Sequence, residues 1–133
     1  MSDIPPERTE HDEGTITLES PLPGIFVSDT LGYMRQADAE QFAGYGDKII
    51  QRHGSLWGFH DWTALMGFSQ ATAVFITQWS VRNVKNFNEV HIAVNTPLVK
   101  SAVMVGTLAL RGKIYIHDTL ESLAEAKART NHH

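Results

Sequence analysis

Residues 89–118 read EVHIAVNTPLVKSAVMVGTLALRGKIYIHD, and this stretch decides the fold class. Its two ends, residues 89–94 and 114–117, show the alternation and β-branched content of strands. The apolar segment between them begins after Asn95-Thr96-Pro97, where a capping residue precedes a proline of the first helical turn. Two strands joined by a helix form a parallel pair through a right-handed crossover, so the stretch predicts an α/β fold.

The preceding part of the chain extends this unit. The alternating residues 15–20 and the apolar residues 25–33 flank a proline- and glycine-containing turn, which predicts a hairpin. The remaining patterns predict a helix over 36–53, a strand over 55–62, a loop over 63–68, a helix over 69–83 and a last helix over 119–129. We therefore predict the order β-β-α-β-α-β-α-β-α, a mostly parallel five-stranded sheet with an antiparallel N-terminal strand.

Charge divides the chain into two parts. The 133 residues have a formal net charge of −4, and residues 1–19, with six acids and one arginine, account for −5 of it. Residues 1–14 combine this charge with prolines and almost no apolar side chains, which predicts a disordered acidic segment before a single domain over 15–130. The nearly neutral domain argues against nucleic-acid binding, which normally requires a basic face.

Several classes of site and location are excluded by what the sequence lacks. It contains no cysteine, so disulfides and thiolate chemistry are excluded. It shows no signal peptide and no apolar run of membrane-spanning length, so we expect a cytoplasmic protein without membrane contact. Phosphate loops, nucleophile elbows and dinucleotide fingerprints are missing as well, so we predict no cofactor and no enzymatic activity.

The predicted strands have unlike faces. In residues 90–95, Val90, Ile92 and Val94 share one face, whereas His91, Ala93 and Asn95 share the other. Parallel sheets covered on both faces usually read as continuous apolar runs. We therefore expect most helices to pack on the aliphatic face and the histidine-bearing face to be less fully covered.

The carboxyl ends of the predicted strands hold the candidate ligand or partner residues. Ligands of open α/β sheets bind at that edge. The residues predicted there, together with the two aromatic side chains of the following loop, are His60, Asp61, Trp62, Thr63, Phe68, Asn95, His117 and Asp118. Two His-Asp pairs at one edge could bind a metal or act as an acid/base couple. Their spacing matches no known ligand motif, so we predict no metal site.

One predicted helix is apolar on almost all sides. Residues 98–110 contain nine apolar side chains among thirteen positions. Such a helix is usually buried on more than one side, and in a small domain a second subunit can cover the other side. This helix is the sequence evidence for a homodimer.

The chain resembles the STAS family, and more closely its STAS/SEC14-like branch, the SpoIIAA-like proteins. The resemblance covers about residues 15–130 and rests on the order of elements, on Asp61-Trp62 before the second helix, and on the segments 92–100, 111–115 and 118–124. It implies a short βα superhelix. It also implies a regulatory module that binds a protein partner.

The resemblance includes one departure. Anti-sigma-factor antagonists of this family carry an Asp-Ser pair after the third strand, and that serine is phosphorylated. Here the strand ends Asp61-Trp62-Thr63, and the next serine is Ser69. Ser69 and Thr63 are thus substitute phosphorylation candidates, although Ser69 is also explained as a helix N-cap.

Three functional hypotheses follow. The first is a STAS-like regulatory or protein-interaction module without catalysis. The second is a small-ligand or metal-binding domain that uses the carboxyl edge of the sheet and the loop between Trp62 and Phe68. The third is a small enzyme built on the same edge.

Overall fold

A computed structural model describes residues 4–110 and 112–130, apart from the side chain of Ala109. The chain begins with three antiparallel strands, β1 (Glu7–His11), β2 (Gly14–Glu19) and β3 (Ile25–Met34). The hairpin of β2 and β3 confirms the sequence prediction for this region. Its strands are held in register by cross-strand pairs such as Leu18 with Ser28.

The expected disorder of the N-terminal segment is wrong for residues 7–11, which form β1, and residues 1–3 lie outside the described residues. One of these acidic side chains, Glu7, is paired with two residues of the first helix. Glu7 accepts hydrogen bonds from Lys48 Nζ at 2.8 Å and from Gln41 Nε2 at 3.1 Å. Charge composition alone misled the prediction because it does not reveal partners that are distant in sequence.

The other strands are parallel to β3. They are β4 (Leu56–Trp62), β5 (Leu65–Phe68), β6 (Phe87–Val94) and β7 (Ile114–His117). The order across the sheet is β1-β2-β3-β4-β6-β7, with β5 paired to the end of β3. The described residues therefore form a seven-stranded mixed sheet, mostly parallel, rather than a five-stranded one.

Strand β5 replaces part of the predicted loop because β3 changes its partner at Gly32. This glycine has φ +78°, and a Cβ there would lie 2.3 Å from the carbonyl oxygen of Glu13. The register of β3 against β5 shifts between Gly32 and Tyr33. The end of β3 is thereby available to Leu65–Phe68, a pairing that no local pattern indicates.

Four helices are described: α1 (Gln36–His53), α2 (Gln70–Asn83), α3 (Pro97–Gly106) and α4 (Leu120–Thr130). Helix α1 ends as predicted before Gly54, which adopts the left-handed conformation at φ 80°. Helix α3 is shorter than predicted, because it ends at Gly106 and a 3₁₀ turn over Leu108–Leu110 follows. No helix of the described chain is long and apolar enough to span a membrane.

The two faces of the sheet are covered unequally, as the strand patterns predict. Helices α1, α2 and α3 cover the aliphatic face, and that core includes Phe26, Trp62, Trp79 and Val94. Helix α4 alone covers part of the opposite face, where Leu123 and Ala126 join a smaller core with Ile25, Phe59 and Ala93. The first face can therefore enclose a cavity, and the second retains polar side chains.

Candidate functional site: an apolar cavity under helices α2 and α3

An apolar cavity of about 70 Å³ lies between the sheet and helices α2 and α3. Small residues on the two helices leave this space, since Ala73 of α2 and Ala102 of α3 are part of its lining. The helices approach each other closely at Gly106, where a Cβ would lie 2.8 Å from Thr77 Oγ1. No Lys, Arg, Asp or Glu is among the described lining residues.

Two tryptophans line the cavity, and their indole groups differ in hydrogen bonding. Trp79 Nε1 donates to Asp47 Oδ1 at 2.8 Å. Trp62 is only 4% exposed, and its Nε1 has no partner among the described residues. Buried indole N–H groups normally find an acceptor, so Trp62, which lines the cavity, carries an unsatisfied hydrogen-bond donor.

His60 is the single titratable side chain in the described lining. It is 2% exposed, and its Nδ1 lies 2.6 Å from Ser28 Oγ. Its ring contacts Phe26 and Phe42, each with a centroid distance of 4.8 Å. Burial, with a smaller contribution from the charge of His91, lowers the pKa of His60 to about 3. The imidazole is therefore neutral at physiological pH.

Of the residues predicted from the sequence, His60, Trp62 and Phe68 line this cavity. Asp61 and Thr63 do not. The Asp61 carboxylate accepts hydrogen bonds from the Thr63 amide at 3.0 Å and from the Thr63 hydroxyl at 2.6 Å. This local turn explains both side chains without a ligand.

The other predicted residues lie elsewhere. Asn95 is exposed, and it does not cap α3 as expected, because Thr96 is the N-cap residue and its hydroxyl donates to the Leu65 carbonyl at 3.1 Å. Asp118 pairs with Lys100 at 2.6 Å. His117 lies on the face covered by α4, opposite to that of His60. The two His-Asp pairs therefore do not form one site.

Ser69 is exposed at the start of α2, and its Oγ accepts from the Thr72 amide at 3.1 Å. The N-cap interpretation of this residue is thereby confirmed. The Ser69 hydroxyl thus accepts a hydrogen bond from the helix backbone, and the Thr63 hydroxyl donates one to Asp61.

Sequence analysis missed three polar residues that the fold brings beside His117. His91, Glu89 and Ser122 form a hydrogen-bonded chain with it on the α4 side of the sheet. The strand pattern places His91 on the same face as His117. It does not indicate the diagonal pairing across β6 and β7 or the position of α4.

Among the described residues, one group of side chains has metal-ligand atoms close together: His11, Asp12 and Glu13. Each of these already has a protein partner. His11 Nε2 lies 2.7 Å from Asp38, and Arg35 bonds to both acids. The cluster is explained by ion pairing between the β1–β2 turn and helix α1.

A scan against models of protein families finds no match, and a search of curated proteins finds none. Among solved structures, the chain is similar to an uncharacterised DUF3478-family protein with a SpoIIAA-like fold from Shewanella loihica PV-4. The two share 17% identity over 95% of this chain and 98% of that chain, with a TM-score of 0.63. This likeness concerns the fold, and it confirms the SpoIIAA-like architecture implied by the sequence resemblance.

Proposed function

We propose that this protein is a binding module that holds a small, mostly apolar ligand in the cavity under α2 and α3. The observation that carries the proposal is the buried, unpartnered Nε1 of Trp62, a residue that lines this apolar cavity. A ligand with one acceptor oxygen would fill that position. Pockets for small molecules combine such an apolar lining with very few polar groups.

The lining indicates the charge of this ligand. A carboxylate would meet no cation there, because His60 is neutral and the described lining contains no Lys or Arg. Burial of an unpaired charge is strongly unfavourable. The proposed ligand is therefore neutral, with a carbonyl or ether oxygen as its acceptor.

The cavity volume limits the size of the ligand. A cavity that binds benzene has a volume of about 150 Å³, so about 70 Å³ accepts only a smaller group unless a helix moves. We propose that helix α3 is the element that moves, since only Val99 and Val103 are buried within it, whereas α2 is tied to α1 by the hydrogen bond from Trp79 to Asp47. In this proposal, ligand binding displaces α3 and the protein acts as a regulatory module through that displacement, without turnover.

Matched probes test the proposal. Cyclopentanone and cyclopentane differ mainly in one acceptor oxygen, and the indole N–H signal of Trp62 reports contact in ¹H–¹⁵N spectra. We expect cyclopentanone to shift that signal and to bind about 5-fold more tightly, since one net hydrogen bond contributes about 1 kcal/mol. In Trp62→Phe the two affinities should become equal.

Trp57, which does not line the cavity, is the internal control for these spectra. Equal affinities of the two probes in the wild-type protein, or saturable shifts at Trp57 alone, would contradict the proposal.

A second candidate function is self-association through helix α3. Leu98, Val105 and Leu108 are exposed to 74%, 70% and 66%. The only charged side chain of α3 is Lys100, and Asp118 neutralises it at 2.6 Å. Two copies of this face would therefore meet without charge repulsion, which favours a second copy of the chain as the partner.

Light scattering tests this second candidate. A dimer that becomes monomeric in Val105→Glu, with an unchanged circular dichroism spectrum, supports it. A wild-type monomer at high micromolar concentration contradicts it.

A further inference from the structure

We propose that Ser122 is an activated nucleophile that accepts acyl groups from small esters, with His117, His91 and Glu89 as its proton relay. These residues lie on the α4 side of the sheet, opposite the cavity, so this inference is independent of the function proposed above. It rests on a continuous chain of short hydrogen bonds that ends at a partly exposed serine.

The relay links two strands and one helix. Ser122 Oγ of α4 lies 2.5 Å from His117 Nδ1 of β7. His117 Nε2 lies 2.8 Å from His91 Nδ1 of β6. His91 Nε2 lies 2.9 Å from Glu89 Oε1 of the same strand. Each imidazole therefore uses both ring nitrogens within the chain.

The carboxylate sets the direction of every hydrogen bond. A carboxylate can only accept, so in the proposed relay His91 donates to Glu89 from Nε2. With one proton on each imidazole ring, His91 Nδ1 then accepts and His117 donates from Nε2. Consequently His117 Nδ1 accepts from the Ser122 hydroxyl, as a general base bound to a nucleophile would.

Burial and stacking hold the relay in place. His91 is 4% exposed, and its ring stacks on Phe59 at 5.3 Å and 7° and on Tyr115 at 4.9 Å and 14°. A fixed His91 orients His117, which is the positioning role that the third member of a catalytic triad has. Neither Phe59 nor Tyr115 is needed for proton transfer itself.

His117 is available as a base at neutral pH. Burial lowers the pKa of His117, with smaller contributions in the same direction from the neighbouring His91 and Arg129, and Asp118 opposes them. Ser122 is only partly buried. It belongs to the first turn of α4, where its own amide donates to Thr119 Oγ1 at 3.1 Å. The N–H groups of Leu120 and Glu121, which precede it in that turn and have no intrahelical acceptor, are the proposed donors to an oxyanion.

The proposed step balances without a cofactor. Ser122 Oγ forms a bond to the ester carbonyl carbon while its proton moves to His117 Nδ1. The bond to the leaving oxygen then breaks, and that oxygen takes the proton from His117. The products are acyl-Ser122 and an alcohol, and attack by water releases the acid and restores the serine.

A second serine–histidine pair serves as an internal comparison. Ser28 Oγ lies 2.6 Å from His60 Nδ1, similar to the pair formed by Ser122. Both of these residues are only 2% exposed in this structure, whereas Ser122 is partly exposed. Ser122, unlike Ser28, combines a hydrogen bond to a histidine with exposure to solvent.

The test uses a small alkyl fluorophosphonate on the full chain, because this reagent forms an O–P bond with activated serines and releases fluoride. Intact mass and peptide mapping should show one adduct, at Ser122. Adduct formation should be about 100-fold slower in His117→Gln, the factor expected for loss of a general base. It should also be slower in Glu89→Gln, and unchanged in Ser101→Ala, which alters an exposed serine of α3.

If a variant fails to fold, peptide mapping of the adduct on the wild-type protein tests the proposal by itself. Modification of Ser122 at no more than the rate of Ser101 overturns the proposal. A folded His117→Gln protein that reacts at Ser122 as fast as the wild type also overturns it.

Discussion

The indole ring of Trp79 lies directly against the backbone of Gly46. A Cβ at position 46 would lie 2.7 Å from two ring atoms and 3.3 Å from Phe26. Position 44, two residues earlier on α1, has nothing within 4 Å of a Cβ. The two glycines that interrupt the helical pattern thus have different reasons for being there.

Alanine substitutions should separate these two positions. We expect Gly46→Ala to lower the free energy of unfolding by about 1–3 kcal/mol through overpacking against Trp79. Gly44→Ala should raise it by about 0.5–1 kcal/mol, because alanine favours the helix. Urea denaturation of both variants measures the difference. Equal effects of the two substitutions would contradict the close contact at position 46.

Stability should depend on pH through His60. Its pKa of about 3 lies below the value of 6.5 for the free side chain, so between these values the unfolded state binds a proton that the folded state does not. The folded state therefore has its full stability above about pH 6.5. Below that pH, the free energy of unfolding falls by about 1 kcal/mol per pH unit down to about pH 3.

His60→Gln isolates this effect. We expect wild-type protein to lose about 2–3 kcal/mol more than the variant between pH 7.5 and pH 4.5. Denaturant midpoints at the two pH values, measured on both proteins, provide the comparison. Parallel losses in the two proteins would show that His60 can be protonated while folded.

Negative charge at the two phosphorylation candidates should affect stability to different extents. Ser69→Asp should leave stability nearly unchanged, because aspartate also accepts from the Thr72 amide and is favoured at a helix N-terminus. Thr63→Asp should cost about 1–2 kcal/mol, because it removes the hydroxyl donor to Asp61 and adds a like charge beside it.

Thermal denaturation of both aspartate variants, with Ser101→Asp as the control for an added surface charge, checks this prediction. A larger loss of stability at Ser69 than at Thr63 would contradict it.

Strand β1 should depend on Gln41 of α1. Gln41 accepts from Thr9 Oγ1 at 2.9 Å and donates to Glu7 Oε1 at 3.1 Å. Gln41→Ala should accelerate hydrogen exchange of the amides over Glu7–His11 several-fold, with little change in the core strands, because edge strands open locally. Gln51→Ala, an exposed change on the same helix, is the control, and unchanged exchange in both variants would contradict the role of Gln41.

Local sequence patterns determined much of the fold. The β-α-β unit, helix α1 with its stop at Gly54, and the N-cap at Ser69 follow from periodicity and capping over a few residues, and the structure agrees. The unequal faces of the sheet follow from the two-residue period of β6. These features are predictable because each arises from residues close together in the chain.

Only the tertiary structure decided the position of His60 relative to His117. Each lies near the carboxyl end of a predicted strand, yet they lie on opposite faces, because the register of β4, β6 and β7 determines which face each residue joins. The pairing of β5 with β3 and the meeting of Ser122 with His117 are likewise contacts between distant segments. A single sequence carries periodicity along the chain, whereas strand register and helix placement result from the packing of the whole core.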